Sequence, residues 1–305
     1  MNARNQVVDK TYLSIDQAED RGFIHRDYIA HCLRWSHVIK RLYERKMYQS
    51  ARILDIGCGR ELPFAKTLYS SKLIPQMYYG VDAGPIEDEQ VAKITKTGKF
   101  PQKLWERCNF LELTWEDVAT EPTDPTNIAD LPNLVTCFEV LEHVEPAMMI
   151  AMLDHMKKLT SDYCRYFIST PCWNRTDCAA NHVNEVLYEA LGAVFERHGF
   201  VIEHVYGTFA SIRDYEHLLS NWNPAGTSAA ISLERAFNAL REYYDTNFLS
   251  CVFAPLFPAQ SRNCLWELRK FSGDVPRSHH SRKFPLVETI QRPWSSSAKW
   301  EDMAL

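Results

Sequence analysis

Apolar residues follow two spacings along this chain, and stretches of the two kinds alternate. Short apolar runs, typical of buried strands, occur at 52–56, 77–81, 103–109, from 134 onwards, 163–171, 200–206 and 263–270. Apolar residues at helical spacing predict helices at 25–47 (one or two), 62–68, 147–159, 185–198, 211–220 and 233–244. Strands that alternate with helices favour a parallel sheet joined by right-handed crossovers, so the predicted fold class is α/β.

This alternation divides the chain into three predicted parts. Residues 1–49 form a polar arm and a helical lid over the sheet edge, residues 50–271 form the main domain with a helical insertion at 207–262, and residues 272–305 form a polar tail.

Composition indicates an ordinary globular protein of 305 residues, 46% apolar and 24% charged. The N-terminus lacks an apolar leader, and Pro255 interrupts the apolar run Phe248–Phe257, so we expect neither a signal peptide nor a membrane span. Nine cysteines without a Cys-x-x-Cys pair favour a reducing, cytoplasmic location without structural zinc.

Charge is uneven although the net value is only −5. Residues 21–52 hold eight Lys/Arg against two acidic residues, which is 8 − 2 = +6. A solvated helix face is the simpler interpretation. Aromatic residues lie between these lysines and arginines, so nucleic acid is an alternative partner.

The stretch Arg52–Gly59 carries the first candidate site. The apolar residues Ile53, Leu54 and Ile56 surround the start of Asp-x-Gly-x-Gly at Asp55, Gly57 and Gly59, which indicates a buried strand that ends in a tight turn before a helix. Glycine permits positive φ and a close approach of the backbone to a ligand, and the helix N-terminus favours an anionic group. Asp82, at the end of the next strand, is the expected ligand for ribose hydroxyls.

These residues, with Glu139–Val144 and Ser169–Pro171, resemble the motifs of class I S-adenosylmethionine-dependent methyltransferases. The resemblance implies a Rossmann-like sheet whose last strand is antiparallel. It also implies S-adenosylmethionine as the cofactor, with binding residues Asp55, Gly57, Gly59, Asp82, Asn109, Phe110 and Glu139. Asn109 and Phe110 would contact adenine, although a plain strand-to-loop transition is an equally simple interpretation. Glu61 stands where the family has a third glycine, and we expect it to crowd the turn.

The Glu-x-x-Glu-His run is similar to that of ubiquinone-biosynthesis O-methyltransferases and small-RNA 2′-O-methyltransferases. This resemblance implies a divalent-metal site (Mg, Mn or Zn) with the ligands Glu139, Glu142, His143 and His182. The first three stand at i, i+3 and i+4, which is one face of a helical turn, and His182 follows the adjacent strand. A capped helix with structural or solvated side chains is the alternative.

The predicted function is methylation of a small-molecule or nucleotide hydroxyl, with His143 as the base. An alcohol needs help to lose its proton, whereas an amine needs only to be unprotonated. A nucleic-acid methyltransferase and a cofactor-binding scaffold without turnover remain alternatives. DNA amino-methyltransferases and cytosine C5 enzymes are disfavoured, because their motifs are absent after the fourth strand. The acceptor and the oligomeric state stay open.

Overall fold

The computed structural model describes residues 26–86, 92, 102–106, 109–119, 130–173, 178–209, 238–244, 246–256 and 258–271. Its centre is one seven-stranded sheet in the order β3-β2-β1-β4-β5-β7-β6. The strands are β1 (Arg52–Ile56), β2 (Met77–Asp82), β3 (Gln102–Glu106), β4 (Leu134–Phe138), β5 (Arg165–Pro171), β6 (Phe200–Phe209) and β7 (Asn263–Lys270). Only β7 runs against its neighbours β5 and β6, which confirms the predicted, mostly parallel sheet.

Helices cover both faces of this sheet. They are α1 (Arg26–Glu44), α2 (Pro63–Ser70), α3 (Trp115–Val118), α4 (Pro146–Lys158), α5 (Tyr188–Arg197) and α6 (Thr246–Phe253). Side chains that alternate along each strand divide the core into two clusters. Leu54 packs with residues of α4 and α5 on one face, whereas Ile53 packs with α1 and α2 on the other. Strands buried on both faces explain the unbroken apolar runs of the sequence.

Helix α1 is attached to the sheet by buried charge as well as by apolar contacts. Glu267 of β7 is fully buried, and Arg41 forms a two-pronged ion pair with it at 2.9 and 3.0 Å. Arg45 adds a contact of 2.7 Å to the same carboxylate. Arg34 of α1 contacts Asn263 at the start of β7, and Arg41 of α1 contacts Glu267 further along that strand. Helix α1 therefore runs from the carboxyl edge of the parallel strands towards their amino edge.

The structure changes some predicted boundaries. Strand β6 continues to Phe209 rather than ending at Tyr206, and β3 ends at Glu106, before Asn109. Helix α6 lies within the predicted helical insertion 207–262, although no individual helix was predicted at these residues. The predicted helix 211–220, most of 233–244, the arm 1–20 and the tail 272–305 lie outside the described residues. Among the described helices, none has the length and apolar character that a membrane span requires.

Candidate active site

The turn after β1 is built by two glycines in the left-handed region, Gly57 at φ +69° and Gly59 at φ +75°. The N–H groups of Gly57 and Cys58 both donate to the carbonyl of Val81, at 2.8 and 3.1 Å. A Cβ on Gly57 would lie 2.3 Å from Cγ2 of Val140, in the loop after β4. The turn therefore stays narrow, and the ends of β1 and β4 meet at one point of the sheet edge.

Asp82 lies beside this turn, at the end of β2. Its Oδ2 accepts from the Gly59 N–H at 2.8 Å, and its Oδ1 accepts from the Gly84 N–H at 2.7 Å. Strands β1 and β2 are parallel neighbours with Ile56 opposite Val81, so their ends share an edge. The structure thus brings together the predicted glycine turn and the predicted ribose ligand. Glu61, expected to crowd this turn, lies 3.6 Å from Lys66 and is 44% exposed.

Asp55 is a buried residue of β1. It accepts hydrogen bonds from the Tyr78 hydroxyl at 2.5 Å and from the Thr136 hydroxyl at 2.6 Å. Burial raises the pKa of Asp55 to about 6, against the two hydrogen bonds that lower it. Its carboxyl group connects three adjacent strands beneath the glycine turn, which favours a role in shaping the turn.

The predicted adenine contacts lie in a short connection after β3. Asn109 caps the 3₁₀ helix Phe110–Glu112, since its Oδ1 accepts from the Leu111 N–H at 3.2 Å. The Phe110 ring is 6% exposed and packs in the core, with its centre 5.1 Å from that of His155. Asn109 is exposed, whereas the Phe110 ring is held away from the surface.

Glu139, immediately after β4, has an unusual conformation with φ +57°. Its Oε1 accepts from Arg34 Nη1 at 3.0 Å and from the Ser169 hydroxyl at 2.7 Å. Its Oε2 accepts from the Asn263 side-chain amide at 2.8 Å. The helical turn begins only at Leu141, so Glu139 does not share a face with Glu142 and His143. This corrects the expectation that the three residues lie on one face of a turn.

Glu142, His143 and His182 do come together. One potential ligand atom from each lies within 4.8 Å of the other two. The loops that carry them are joined by the backbone, because the N–H groups of Val183 and Asn184 donate to the Glu142 carbonyl at 2.8 and 3.2 Å. Three of the four predicted metal ligands are therefore adjacent.

Both imidazoles of this group are oriented through Nδ1. His143 Nδ1 lies 3.2 Å from the Asn181 carbonyl oxygen, and His182 Nδ1 contacts the Glu185 carboxylate. A carboxylate oxygen only accepts, which assigns the proton of His182 to Nδ1. For His143 the closer carbonyl oxygen favours the same tautomer over the Asn181 side-chain amide, which lies 3.4 Å from Nδ1, and Nε2 is then the basic nitrogen of each ring. His143 Nε2 lies 3.8 Å from Glu142 Oε1.

Burial sets the charge of the group. It raises the pKa of Glu142, and the nearby Glu139 raises it further, against the hydrogen bond that Thr170 donates to Glu142 Oε2. Burial also lowers the pKa of His143. Both shifts favour the neutral forms, and a cation at this position would favour the ionised Glu142 and the neutral imidazole.

The donor set fits a divalent metal. One carboxylate with two imidazole Nε2 atoms is a ligand combination that proteins use for zinc and other first-row ions. Hydrogen bonds from the second ring nitrogen to oxygen acceptors are the usual outer support of metal-bound histidines. Glu139 lies outside this set, since it is bound to Arg34 and Asn263.

Sequence reasoning missed Arg34, Asn263 and Glu185. Arg34 and Glu139 are 105 residues apart, and Asn263 and Glu139 are 124 apart, so no local pattern connects them. A weak signal existed for Glu185, because it stands three residues after His182.

Comparison with known proteins defines the class. A family model described as a methyltransferase domain matches residues 25–223, more than half of the chain. The chain therefore belongs to the methyltransferase domain family, and the prediction of an S-adenosylmethionine-dependent methyltransferase is confirmed. No curated protein has a significantly similar sequence.

Solved structures of methyltransferases are similar to this chain at low sequence identity. The 1,6-didemethyltoxoflavin-N1-methyltransferase of Burkholderia thailandensis is 12% identical, with a TM-score of 0.50 over 85% of each chain. The magnesium protoporphyrin IX methyltransferase of Synechocystis PCC 6803 is 12% identical, with a TM-score of 0.47 over 84% of this chain and 88% of that chain. A methyltransferase of Archaeoglobus fulgidus is 17% identical, with a TM-score of 0.43 over 77% and 94%.

Proposed function

We propose that this methyltransferase transfers the methyl group of S-adenosylmethionine to a hydroxyl oxygen of a small molecule or nucleotide. The observation that carries the proposal is the convergence of Glu142, His143 and His182 at the sheet edge that also holds the glycine turn. A carboxylate and two basic nitrogens suit the removal of a hydroxyl proton.

The cofactor end of the site uses the ends of β1 and β2. Gly57 and Gly59 leave room for the methionine portion, and Asp82 presents two carboxylate oxygens, each with one backbone N–H already bound. An acidic strand end beside a glycine turn matches the donor hydroxyls of a ribose. This arrangement directs the sulfonium methyl group towards the ends of β4 and β5.

Methyl transfer needs alignment more than activation, because the sulfonium is already a reactive donor. Alignment of the two reactants supplies about 7 to 11 kcal/mol in well-oriented systems. The remaining requirement is a nucleophile freed of its proton. His143 Nε2 is the basic nitrogen placed to accept that proton, and the positive charge of the resulting imidazolium would favour the ionised form of Glu142, 3.8 Å away.

Glu142, His143 and His182 would hold a divalent metal through Glu142 Oε1 and the two Nε2 atoms, and His143 would then act as a ligand in place of the base. A metal bound there would supply Lewis-acid assistance by lowering the pKa of a coordinated hydroxyl. The support for an enzyme of the ubiquinone-biosynthesis or small-RNA 2′-O type is this three-residue group, with His182 after β5.

The structure favours a small acceptor over a nucleic-acid strand. Arg34, Arg41 and Arg45 of the basic segment pair with glutamates of the sheet. Lys40 lies 3.6 Å from Glu44, and the Arg52 guanidinium donates to the Leu131 carbonyl at 2.9 Å. Much of the +6 charge thus stabilises α1, its attachment to the sheet and the segment before β4.

The test is transfer of an isotope-labelled methyl group from S-adenosylmethionine to a panel of phenols, alcohols, ribonucleotides and amines, with and without Mg²⁺, Mn²⁺ or Zn²⁺. We expect the labelled methyl group on an oxygen of the product. His143→Asn should lower turnover about 100-fold or more, the range of a general base, and His182→Asn should lower the part of turnover that depends on the added metal.

His198→Asn is the matched control, since His198 pairs with Asp154 at 3.4 Å and lies next to the amino end of β6. It should retain turnover. Cofactor binding without transfer to any acceptor would favour the scaffold alternative, and label on nitrogen alone would contradict the oxygen acceptor.

A further inference from the structure

Glu139 has one open acceptor position in the cofactor region. A carboxylate offers about four such positions. Arg34 and Ser169 fill two on Oε1, and Asn263 fills one on Oε2. The Glu139 side chain is 24% exposed, so this carboxylate is accessible to a ligand that carries a donor.

Arg34 itself is not available to a ligand. Its side chain is 1% exposed. Nη1 donates to Glu139 and to Asn263, and Nη2 donates to His31 Nδ1 at 2.7 Å. Its role in the site therefore has to act through the groups that it holds.

The position of Glu139 indicates which donor it meets. Glu139 precedes Val140, the residue whose Cγ2 closes on Gly57. The methionine portion of the cofactor is expected over this turn, and its one cationic hydrogen-bond donor is the α-ammonium group, because the sulfonium carries no polar hydrogen. An ammonium forms a strong, charge-assisted hydrogen bond with a carboxylate.

We propose that Glu139 binds the α-ammonium group of the cofactor and that Arg34 and Asn263 are positioning residues, which hold the Glu139 carboxylate in place from α1 and β7. Glu139 is then a cofactor residue rather than a metal ligand. Glu139 has a strained, left-handed backbone at φ +57°, which orients this side chain. Strain of this kind concentrates at functional sites. The inference rests on the proposed function, since it needs the cofactor in this pocket.

Three probes separate the parts of the cofactor. S-adenosylhomocysteine has the complete amino-acid portion, decarboxylated S-adenosylmethionine keeps the ammonium but lacks the carboxylate, and 5′-methylthioadenosine lacks both. We expect Glu139→Gln and Arg34→Met to weaken the binding of the first two probes about tenfold or more, which is the effect of one hydrogen bond to a charged group. Binding of 5′-methylthioadenosine should stay within about twofold.

Arg41→Met is the matched control, because it removes an arginine of the same helix from a different glutamate. It should leave the ratio of the affinities unchanged. The double variant Arg34→Met/Glu139→Gln should bind no more weakly than Glu139→Gln alone, because both changes act on one contact. This double variant also avoids an unpaired carboxylate, so it serves if Arg34→Met does not fold.

Each contrary result has a distinct meaning. Equal losses for all three probes would make Arg34 merely structural, and a loss for S-adenosylhomocysteine alone would assign Arg34 to the carboxylate. Either result overturns the inference. A wild-type protein that binds none of the probes refutes the proposed function instead.

Discussion

Gly57 and Val140 pack at a distance that only glycine permits: a Cβ on Gly57 would lie 2.3 Å from Cγ2 of Val140. We predict that Gly57→Ala abolishes binding of S-adenosylhomocysteine and lowers the free energy of unfolding by about 1 to 3 kcal/mol, because the left-handed backbone is strained for alanine. Calorimetric titration and thermal denaturation measure the two effects.

Gly199→Ala is the control for this backbone effect. Gly199 has φ +77°, but its Cβ would meet only the flexible end of Lys157, at 3.5 Å. We expect a similar loss of stability with unchanged cofactor affinity. Loss of binding in both variants would show that instability, and not the turn, is responsible.

Asp82 and Asp55 should differ in what they do for the cofactor. Asp82→Asn should weaken S-adenosylhomocysteine binding about tenfold or more, since it removes a charged acceptor from the ribose site. Asp55→Asn should change it by no more than a few-fold, because its partners are Tyr78 and Thr136. Comparable losses in the two variants would place Asp55 in contact with the cofactor.

Asp55 also makes the stability of the folded protein depend on pH. Because burial raises its pKa to about 6 in the folded state, the folded protein binds a proton more tightly than the unfolded chain does. Its contribution to stability therefore decreases as pH rises from the ordinary aspartate value to about 6. Asp55→Asn should remove this decrease, as measured by melting temperature against pH.

Glu267 should show the opposite dependence. Its burial would raise the pKa, but hydrogen bonds from Arg41 and Arg45 outweigh it and lower the pKa below the ordinary glutamate value. The stabilisation is therefore complete above that ordinary value and is lost as pH falls through the lowered, folded-state pKa. Melting temperature measured from neutral pH into the acid range checks this dependence.

Glu267→Gln should lower the free energy of unfolding at neutral pH by about 1 to 3 kcal/mol, since it removes a charged acceptor from Arg41 and Arg45, which keep Glu44 and Glu203 as partners. It should also reduce the decrease in melting temperature that occurs as pH falls into the acid range. An unchanged decrease in the variant would show that other carboxylates cause it.

Nucleic acid should bind weakly or not at all. Five basic residues of the segment 21–52 already have partners, which leaves few free charges to contact phosphates. Fluorescence anisotropy with RNA and DNA oligonucleotides at about 50 and 200 mM salt tests this. Tight binding that falls steeply with salt would restore the nucleic-acid acceptor.

Local patterns predicted the parts of the site that depend on neighbouring strand ends. The glycine turn follows from the run at Arg52–Gly59, and Asp82 from the next strand, because parallel strands carry their ends to one edge. His182 was placed beside Glu142 and His143 by the same reasoning, and the structure confirms their adjacency.

Other parts depend on contacts between distant segments. A helix before the first strand and a strand at the far end of the domain both reach Glu139, and no sequence pattern records this. The pattern Glu-x-x-Glu-His favoured a regular helical turn, whereas the positive φ of Glu139 turns its side chain towards Arg34. Tertiary hydrogen bonds thus decided the conformation of this residue.

A crystal structure of the complex with S-adenosylhomocysteine tests the central claim most directly. We predict that the ribose hydroxyls lie at about 2.6 to 3.0 Å from the Asp82 carboxylate, with the amino-acid portion over Gly57 and the sulfur facing Glu142, His143 and His182. A nucleoside bound elsewhere, or a pocket that stays closed at saturating ligand, would contradict the account.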